Sequence, residues 1–246
     1  MKAWVVAVIF SLAFSSSAFA ARPLSTDDAG TVDQGHLEFE SGFEYQNAAN
    51  EEYSLSAVLK YGLTDKWDIG VEIPYQFLEV NDADDVDGSG DIVLYSKHVL
   101  LEETPEFPAV SFSFSLKTKT GDENKSLGTG ELDYIINLIL SKELDKIVSH
   151  LNFGYSYVGA PEGQDDDDVF SYAWALEYPL NEKVNLVGEV SAETNFSGDF
   201  DDNPFAALVG FNYAFSDMLT FDFGVGWGIS EASADHRITA GLSAAF

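Results

Sequence analysis

Apolar and polar residues alternate with a period of two through almost the whole chain after Gly35, and this constrains the fold more than any other feature. In the second run, for example, Leu59 and Tyr61 share one face while Lys60 lies on the other. Alternation of this kind is typical of β-strands with one apolar and one polar face. Twelve such runs follow one another, each close to the length of about 9–11 residues that a tilted membrane strand needs. The sequence therefore predicts an all-β protein, a transmembrane antiparallel up-and-down β-barrel of about twelve strands.

A soluble lipocalin-like barrel would show the same alternation, with its apolar face inside and its charges outside. Aromatic residues near the strand ends, such as Trp67 and Trp227, favour the membrane instead, because they resemble interfacial girdles. The apolar set is also too large to fill the interior of a small barrel. The chain ends in Phe246, similar to the terminal aromatic that outer-membrane proteins present to the barrel-assembly machinery. The expected partners are therefore that machinery, outer-membrane lipid and lipopolysaccharide.

The connections between the runs alternate in character. One set is mostly short, as at Thr64–Lys66 and Asn181–Lys183, and the other is longer and acidic, as at Asn81–Gly90 and Gly159–Asp168. Short periplasmic turns opposite long extracellular loops are the outer-membrane pattern. An even number of strands also returns both termini to one side.

The first twenty residues read as a signal peptide. Lys2 supplies the positive start, residues 4–14 are apolar, and residues 18–20 give an A-x-A cleavage site. The predicted organisation is a signal peptide over 1–20, an N-terminal segment over 21–35 and the barrel over 36–246, in the outer membrane of a Gram-negative bacterium. The segment 21–35 has two open positions, inserted into the lumen or loose in the periplasm.

Composition excludes several classes of function. The chain has no cysteine, so disulfides and thiolate metal sites are ruled out. Its 12 Lys and Arg against 42 Asp and Glu give a formal net charge of −30, which would repel nucleic acid. No cofactor is expected.

The polar face becomes the lumen if the barrel forms. Its acids outnumber its bases, so we expect a narrow pore for a small-molecule solute that favours cations, with a plugged structural lumen as the alternative. Because few bases are present, most of the acids are expected to lack a partner. The predicted lining consists of Glu38, Glu40, Lys60, Asp68, Glu72, Asp91, Lys97, Lys117, Glu131, Asp133, Asn137, Glu177, Glu189, Glu193, Asp222 and Arg237.

Two further chemistries have candidate residues in the chain. An acidic loop, Asp82, Asp84, Asp85 and Asp87, offers oxygen ligands for a divalent cation, although its spacing does not fit an EF-hand and a solvated loop is the simpler interpretation. Ser96 and His98 share the outward face of the fourth run, as in lipid-acting barrel enzymes, but no polar residue would orient His98. The chain is therefore predicted not to be an enzyme.

Several short stretches resemble one family. The start of the mature chain from Arg22 to Val32, the stretches Gly90–Lys97 and Leu116–Asp122, and Gly128–Asp133 are similar to an outer-membrane transporter family linked to the meta-pathway of phenol degradation. The resemblance implies an outer-membrane channel or transporter with a loose connection to the catabolism of aromatic compounds. Where family members often carry Leu-Pro-Thr-Gly, this chain has Lys-Thr-Lys-Thr-Gly over 117–121.

Overall fold

The computed structural model describes residues 22–47, 51–79, 85–160, 167–194 and 202–246. The predicted signal peptide lies outside these ranges. The described residues form strands and one short 3-10 turn at Glu123–Lys125. The strands are β1 (Leu37–Asn47), β2 (Glu51–Thr64), β3 (Trp67–Glu79), β4 (Val86–Ser89), β5 (Val93–Leu101), β6 (Ala109–Lys117), β7 (Asp133–Leu144), β8 (Ile147–Val158), β9 (Asp167–Pro179), β10 (Val184–Thr194), β11 (Phe205–Ser216), β12 (Leu219–Gly228) and β13 (His236–Ala245).

The sheet closes on itself as an antiparallel barrel. β1 pairs with β2 on one side and with β13 on the other, so the first and last strands are neighbours. β4 and β5 both pair with β3, β4 beside residues 75–78 and β5 beside residues 67–72. They therefore form a single spanning strand with a break at residues 90–92, and the barrel has the twelve strands that the sequence predicts. Residues 86–89, predicted as loop, are strand in the structure, although Gly88 and the surrounding acids hide the alternation.

The barrel is apolar outside and polar inside. Phe153 exposes 50 % of its surface on the outer face, whereas the inward Asp222 exposes 2 %. Outward apolar residues of this kind occur on every long strand, including Leu59, Ile73 and Val209. A soluble barrel would bury them, so the structure confirms the membrane alternative.

The strand connections differ between the two ends of the barrel. Two-residue turns join β2 to β3, β7 to β8 and β11 to β12, at the end where both termini of the barrel lie. There, the main chains of Leu37 and Phe246 exchange two hydrogen bonds (3.1 and 2.8 Å). The longest connection, residues 118–132, lies at the opposite end, which is extracellular by the usual rule. In the described ranges, no helix is long and apolar enough to cross a membrane.

Candidate channel lumen

The strands bring most of the predicted lining residues to the inner wall, because each occupies the face opposite the exposed apolar side chains. Two of the set lie off the strands. Asp91 sits at the break between β4 and β5, and Glu131 lies in the loop before β7. Glu131 pairs with Lys119 of the same loop at 2.5 Å, so it belongs to the extracellular rim and not to the strand wall.

Residues 22–36 run through the lumen. From the barrel's first strand, the chain turns inward, where the Val32 amide donates to the Asp68 carboxylate (3.1 Å). Further along, the Ala29 amide donates to Ser141 Oγ (2.8 Å), and Ser111 Oγ donates to the Ala29 carbonyl. Of the two positions open to this segment, the structure places it inside the barrel, where the wall's polar groups satisfy its main chain.

Two charged contacts hold the middle of the segment. Lys97 Nζ of β5 bonds both carboxylate oxygens of Asp27 (3.1 and 3.2 Å) and the Asp28 carbonyl (3.3 Å). On the opposite wall, one oxygen of Glu189 accepts both the amide (2.6 Å) and the hydroxyl of Thr26. The segment is thus fixed to β5 and β10 at once, and it spans the lumen between them.

Other acids of the wall form ion pairs with basic side chains that lie beside them. Lys60 bonds Glu38 (2.9 Å) and Glu40, Arg237 bonds Glu44 (2.6 Å), and Lys117 lies between Asp133 (2.6 Å) and Asp91 (3.4 Å). Glu177 contacts His150 (3.4 Å) and accepts from Asn185 (2.6 Å).

The expectation that most lumen acids would lack a partner was therefore wrong. Lys60 and Lys117 each form ion pairs with two acids, and the inserted segment supplies further hydrogen-bond donors. Within the described ranges, the side chains of Glu72 and Glu193 make neither a hydrogen bond nor an ion pair, and Asp222 has only a contact of 3.7 Å with Arg22.

Among the described residues, two cavities lie on the extracellular side of the segment. One, of about 550 Å³, has Ser25 and Asp27 in its floor, and Glu193 and Ser233 toward the extracellular end. The other, of about 790 Å³, lies against β3 and β5 and is lined by Gln76, Lys117 and the loop 123–129. Polar, charged space therefore extends from the extracellular end down to the inserted segment.

The two alternative chemistries gain no site from the structure. Asp82 and Asp84 lie outside the described residues, and Asp87 accepts a hydrogen bond from Tyr75 (2.5 Å). No group of three or more potential metal ligands occurs in the part of the chain that the structure describes. Ser96 and His98 do face outward, but each contacts Trp67 instead of the other: Ser96 accepts from the indole (2.7 Å), and the imidazole stacks on it at 6.5 Å.

Sequence reasoning missed the residues that receive the segment. Ser111, Ser141, Asn152 and Thr239 all bond it, yet each is an ordinary small polar residue on an alternating strand. The Pro, Ser, Thr and Asp content of residues 21–34 excluded a strand there, and nothing else in the sequence points to the lumen.

The closed sheet, the apolar outer surface and the polar interior define a transmembrane β-barrel of the outer-membrane type. The model of the family described as "Putative MetA-pathway of phenol degradation" matches residues 20–246, and the chain belongs to that family.

Solved structures share the fold at low sequence identity. An outer membrane channel from Pseudomonas putida F1 is 14 % identical with a TM-score of 0.69, covering 91 % of this chain and 100 % of that one. The NanC porin is 10 % identical with a TM-score of 0.61, covering 85 % and 98 %. The CymD monoaromatic hydrocarbon channel is 12 % identical with a TM-score of 0.50, covering 86 % and 88 %. No curated protein matches the sequence.

Proposed function

We propose that this protein is an outer-membrane channel for the passive uptake of small solutes and that it favours cations. The observation that carries the proposal is a polar lumen with an excess of acids, in which Glu72 and Glu193 have no side-chain partner among the described residues. The fold it shares with channels and porins supports the same function.

The distance over which the wall charges act determines how strongly the pore selects cations over anions. Free charges act over a Debye length of about 8 Å at physiological ionic strength and of about 3 Å at 1 M salt. A passing ion in a narrow lumen stays within the longer distance of the wall. The field should therefore attract cations at low salt and weaken as salt rises.

Reversal potentials in a planar bilayer test the selectivity. The double variant Glu72→Gln, Glu193→Gln should move the reversal potential in a salt gradient toward zero while leaving the barrel folded, because neither carboxylate holds another residue. Glu131→Gln, at the rim and paired with Lys119, is the matched control and should change it less. A wild-type pore that prefers anions would contradict the proposal.

The family name and the resemblance to a monoaromatic hydrocarbon channel suggest aromatic compounds as solutes. The acidic lumen favours neutral phenols over aromatic carboxylates, which carry the same charge as the wall. Proteoliposomes should therefore admit a neutral phenol faster than benzoate, relative to protein-free vesicles. Equal rates for phenol and benzoate would contradict the idea that the charge of the lumen selects between solutes.

The inserted segment favours a second candidate, a structural or surface-interaction barrel with a closed lumen. Its contacts with β3, β5, β7 and β10 are those of a fitted plug. Such a barrel would show no current steps in the bilayer, whereas the channel would.

A further inference from the structure

We propose that residues 24–26 of the inserted segment occupy a solute site in the lumen wall, and that its ligand is a neutral molecule with one hydroxyl on a compact apolar body. The inference rests on the proposed channel function, since the solute must enter the lumen, and it names a solute class for that channel. In this structure, Leu24 stands in place of the apolar body and Thr26 in place of the hydroxyl.

The site is built around an apolar patch on an otherwise polar wall. Leu24 packs there against one side chain from each of three neighbouring strands, and all four side chains expose 8 % or less. The patch consists of Ala175 of β9, Val187 of β10 and Leu208 of β11. Residues 25–32 meet other parts of the wall through hydrogen bonds and an ion pair, so the patch is not what the segment as a whole requires.

Glycines make the wall beside the patch concave. Pro23 lies against Gly210 and Gly224, where an added Cβ would come within 2.9 and 3.0 Å of the proline ring. The wall therefore has room next to the patch for a bulky apolar group.

Glu189 places a hydrogen-bond acceptor within the same patch. In the strand register it lies between Ala175 of β9 and Leu208 of β11, and it exposes 5 % of its surface. One of its oxygens accepts both the main-chain amide (2.6 Å) and the hydroxyl of Thr26. An apolar surface and an acceptor thus lie side by side, which is the complement of an alcohol.

The surroundings of Glu189 favour a hydroxyl over an ammonium group as its donor. Both groups of Thr26 that donate to it are neutral. The apolar neighbours Ala175 and Leu208 offer an ammonium group nothing in exchange for the water that it would lose, whereas a hydroxyl loses much less.

The site borders a cavity on the extracellular side of the segment. Glu189 and Leu208 line both the site and the cavity of about 550 Å³ whose floor contains Ser25. A solute that enters the cavity therefore reaches the acceptor and the patch when Leu24 and Thr26 move away. Because the segment fills the site first, the apparent affinity for a solute is reduced to the fraction of chains in which the segment is displaced.

The double variant Leu24→Ala, Thr26→Ala tests the site, because it vacates the patch while the other contacts still hold the segment. Cyclohexanol is added to the protein in detergent, and NMR follows labelled methyl groups of Val187 and Leu208. The outward Leu59 reports partition into the detergent. We expect saturable shifts at the two wall residues, with an affinity at least about tenfold above that of the wild type, in which the ligand must displace a buried leucine.

Two comparisons identify the chemistry and the place. Methoxycyclopentane, an isomer of cyclohexanol without a hydroxyl, should bind at least about tenfold more weakly, because it cannot donate to the carboxylate of Glu189. Ala175→Leu, added to the double variant, should abolish binding, because the new side chain fills the space that Leu24 has left.

Thr31→Ala combined with Val32→Ala is the matched control. It also removes a hydroxyl and a buried apolar side chain from the segment, at a distance from the patch. It should leave the affinity at the wild-type value. If the double variant at the patch fails to fold, Leu24→Ala alone gives the same comparison.

Three results would overturn the proposal: no saturable shift in the double variant, equal affinities for the alcohol and its ether isomer, or tighter binding of cyclohexylammonium than of cyclohexanol. Bilayer recordings keep the channel function separate, because the titration needs no current. A silent barrel with a positive titration would contradict the channel and leave the site in place, whereas a conducting pore with no titration would contradict the site alone.

Discussion

Replacing Lys97 by methionine should loosen the inserted segment. The lysine side chain exposes only 7 %, and its ammonium group makes three contacts with Asp27 and Asp28. Methionine keeps most of the length of the side chain and removes the charge. The other half of the pair, Asp27, exposes 35 % of its side chain and can rehydrate when the ammonium is gone.

The magnitude follows from these contacts. Hydrogen bonds to a charged group contribute about 1.5–3 kcal/mol each, and rehydration of Asp27 returns part of that. The net loss is then about 2–3 kcal/mol, which changes the ratio of docked to released segment by about 30- to 150-fold. In single-channel recordings, Lys97→Met should spend correspondingly more time in a high-conductance state than the wild type.

Two further variants separate the pair from general effects. Lys119→Met removes an exposed lysine of the extracellular rim and should leave the recordings unchanged. Asp27→Asn combined with Lys97→Met should cost less than the sum of the two single changes, because each removes the same interaction. A Lys97→Met channel with wild-type conductance and open time would refute the assignment of Lys97 as an anchor of the segment.

Three other outcomes follow from the structure. Arginine at Leu59 or Ile136, which face lipid, should lower the free energy of unfolding by about 2–4 kcal/mol if the position lies near the bilayer midplane, as a folding titration would measure. Arginine at Asn137, which lines the cavity, should lower it much less. Equal losses at the two kinds of position would contradict the assignment of the outer and inner faces. Mass spectrometry of the exported protein should give a chain that begins at Ala21 and fractionates with the outer membrane, and a soluble periplasmic protein would contradict it. Deleting residues 22–33 should give a larger conductance from a barrel that still resists heat in detergent, while an unchanged conductance would mean that the segment does not limit the pore.

The barrel itself could be predicted because its determinants are local and repeated. Each strand pairs with its neighbour in sequence, so a period of two and the positions of the turns are enough to order the sheet. The same alternation placed Leu59 outside and Asp222 inside. The break between β4 and β5 was invisible, because four residues with a glycine among them carry no readable period.

The packing of the lumen could not be predicted, since it joins residues that are far apart in sequence. Thr26 meets Glu189 across 163 positions, and Arg22 meets Thr239 across 217. Such pairs share no spacing rule, and a carboxylate that accepts main-chain amides looks in sequence like one that is free. The excess of acids over bases therefore predicts more unpaired charges than the structure contains, in part because main-chain amides of the segment bond two of the acids, Asp68 and Glu189.

The way the wall binds the segment also bears on whether the lumen can open. Asp68, Glu189 and Ser141 accept main-chain amides of the segment, and a water molecule can replace an amide donor with little loss in hydrogen-bond energy. When the segment is released, water reaches the same acids and replaces the hydrogen bonds that they lose, so these carboxylates are not left without partners. The contacts that water replaces less well are the ion pairs of Lys97 and the apolar packing of Leu24 against Ala175, Val187 and Leu208. In the proposed channel, these few anchors would control whether the lumen opens. Single changes at the anchors should therefore alter the current more than changes at the polar positions around them.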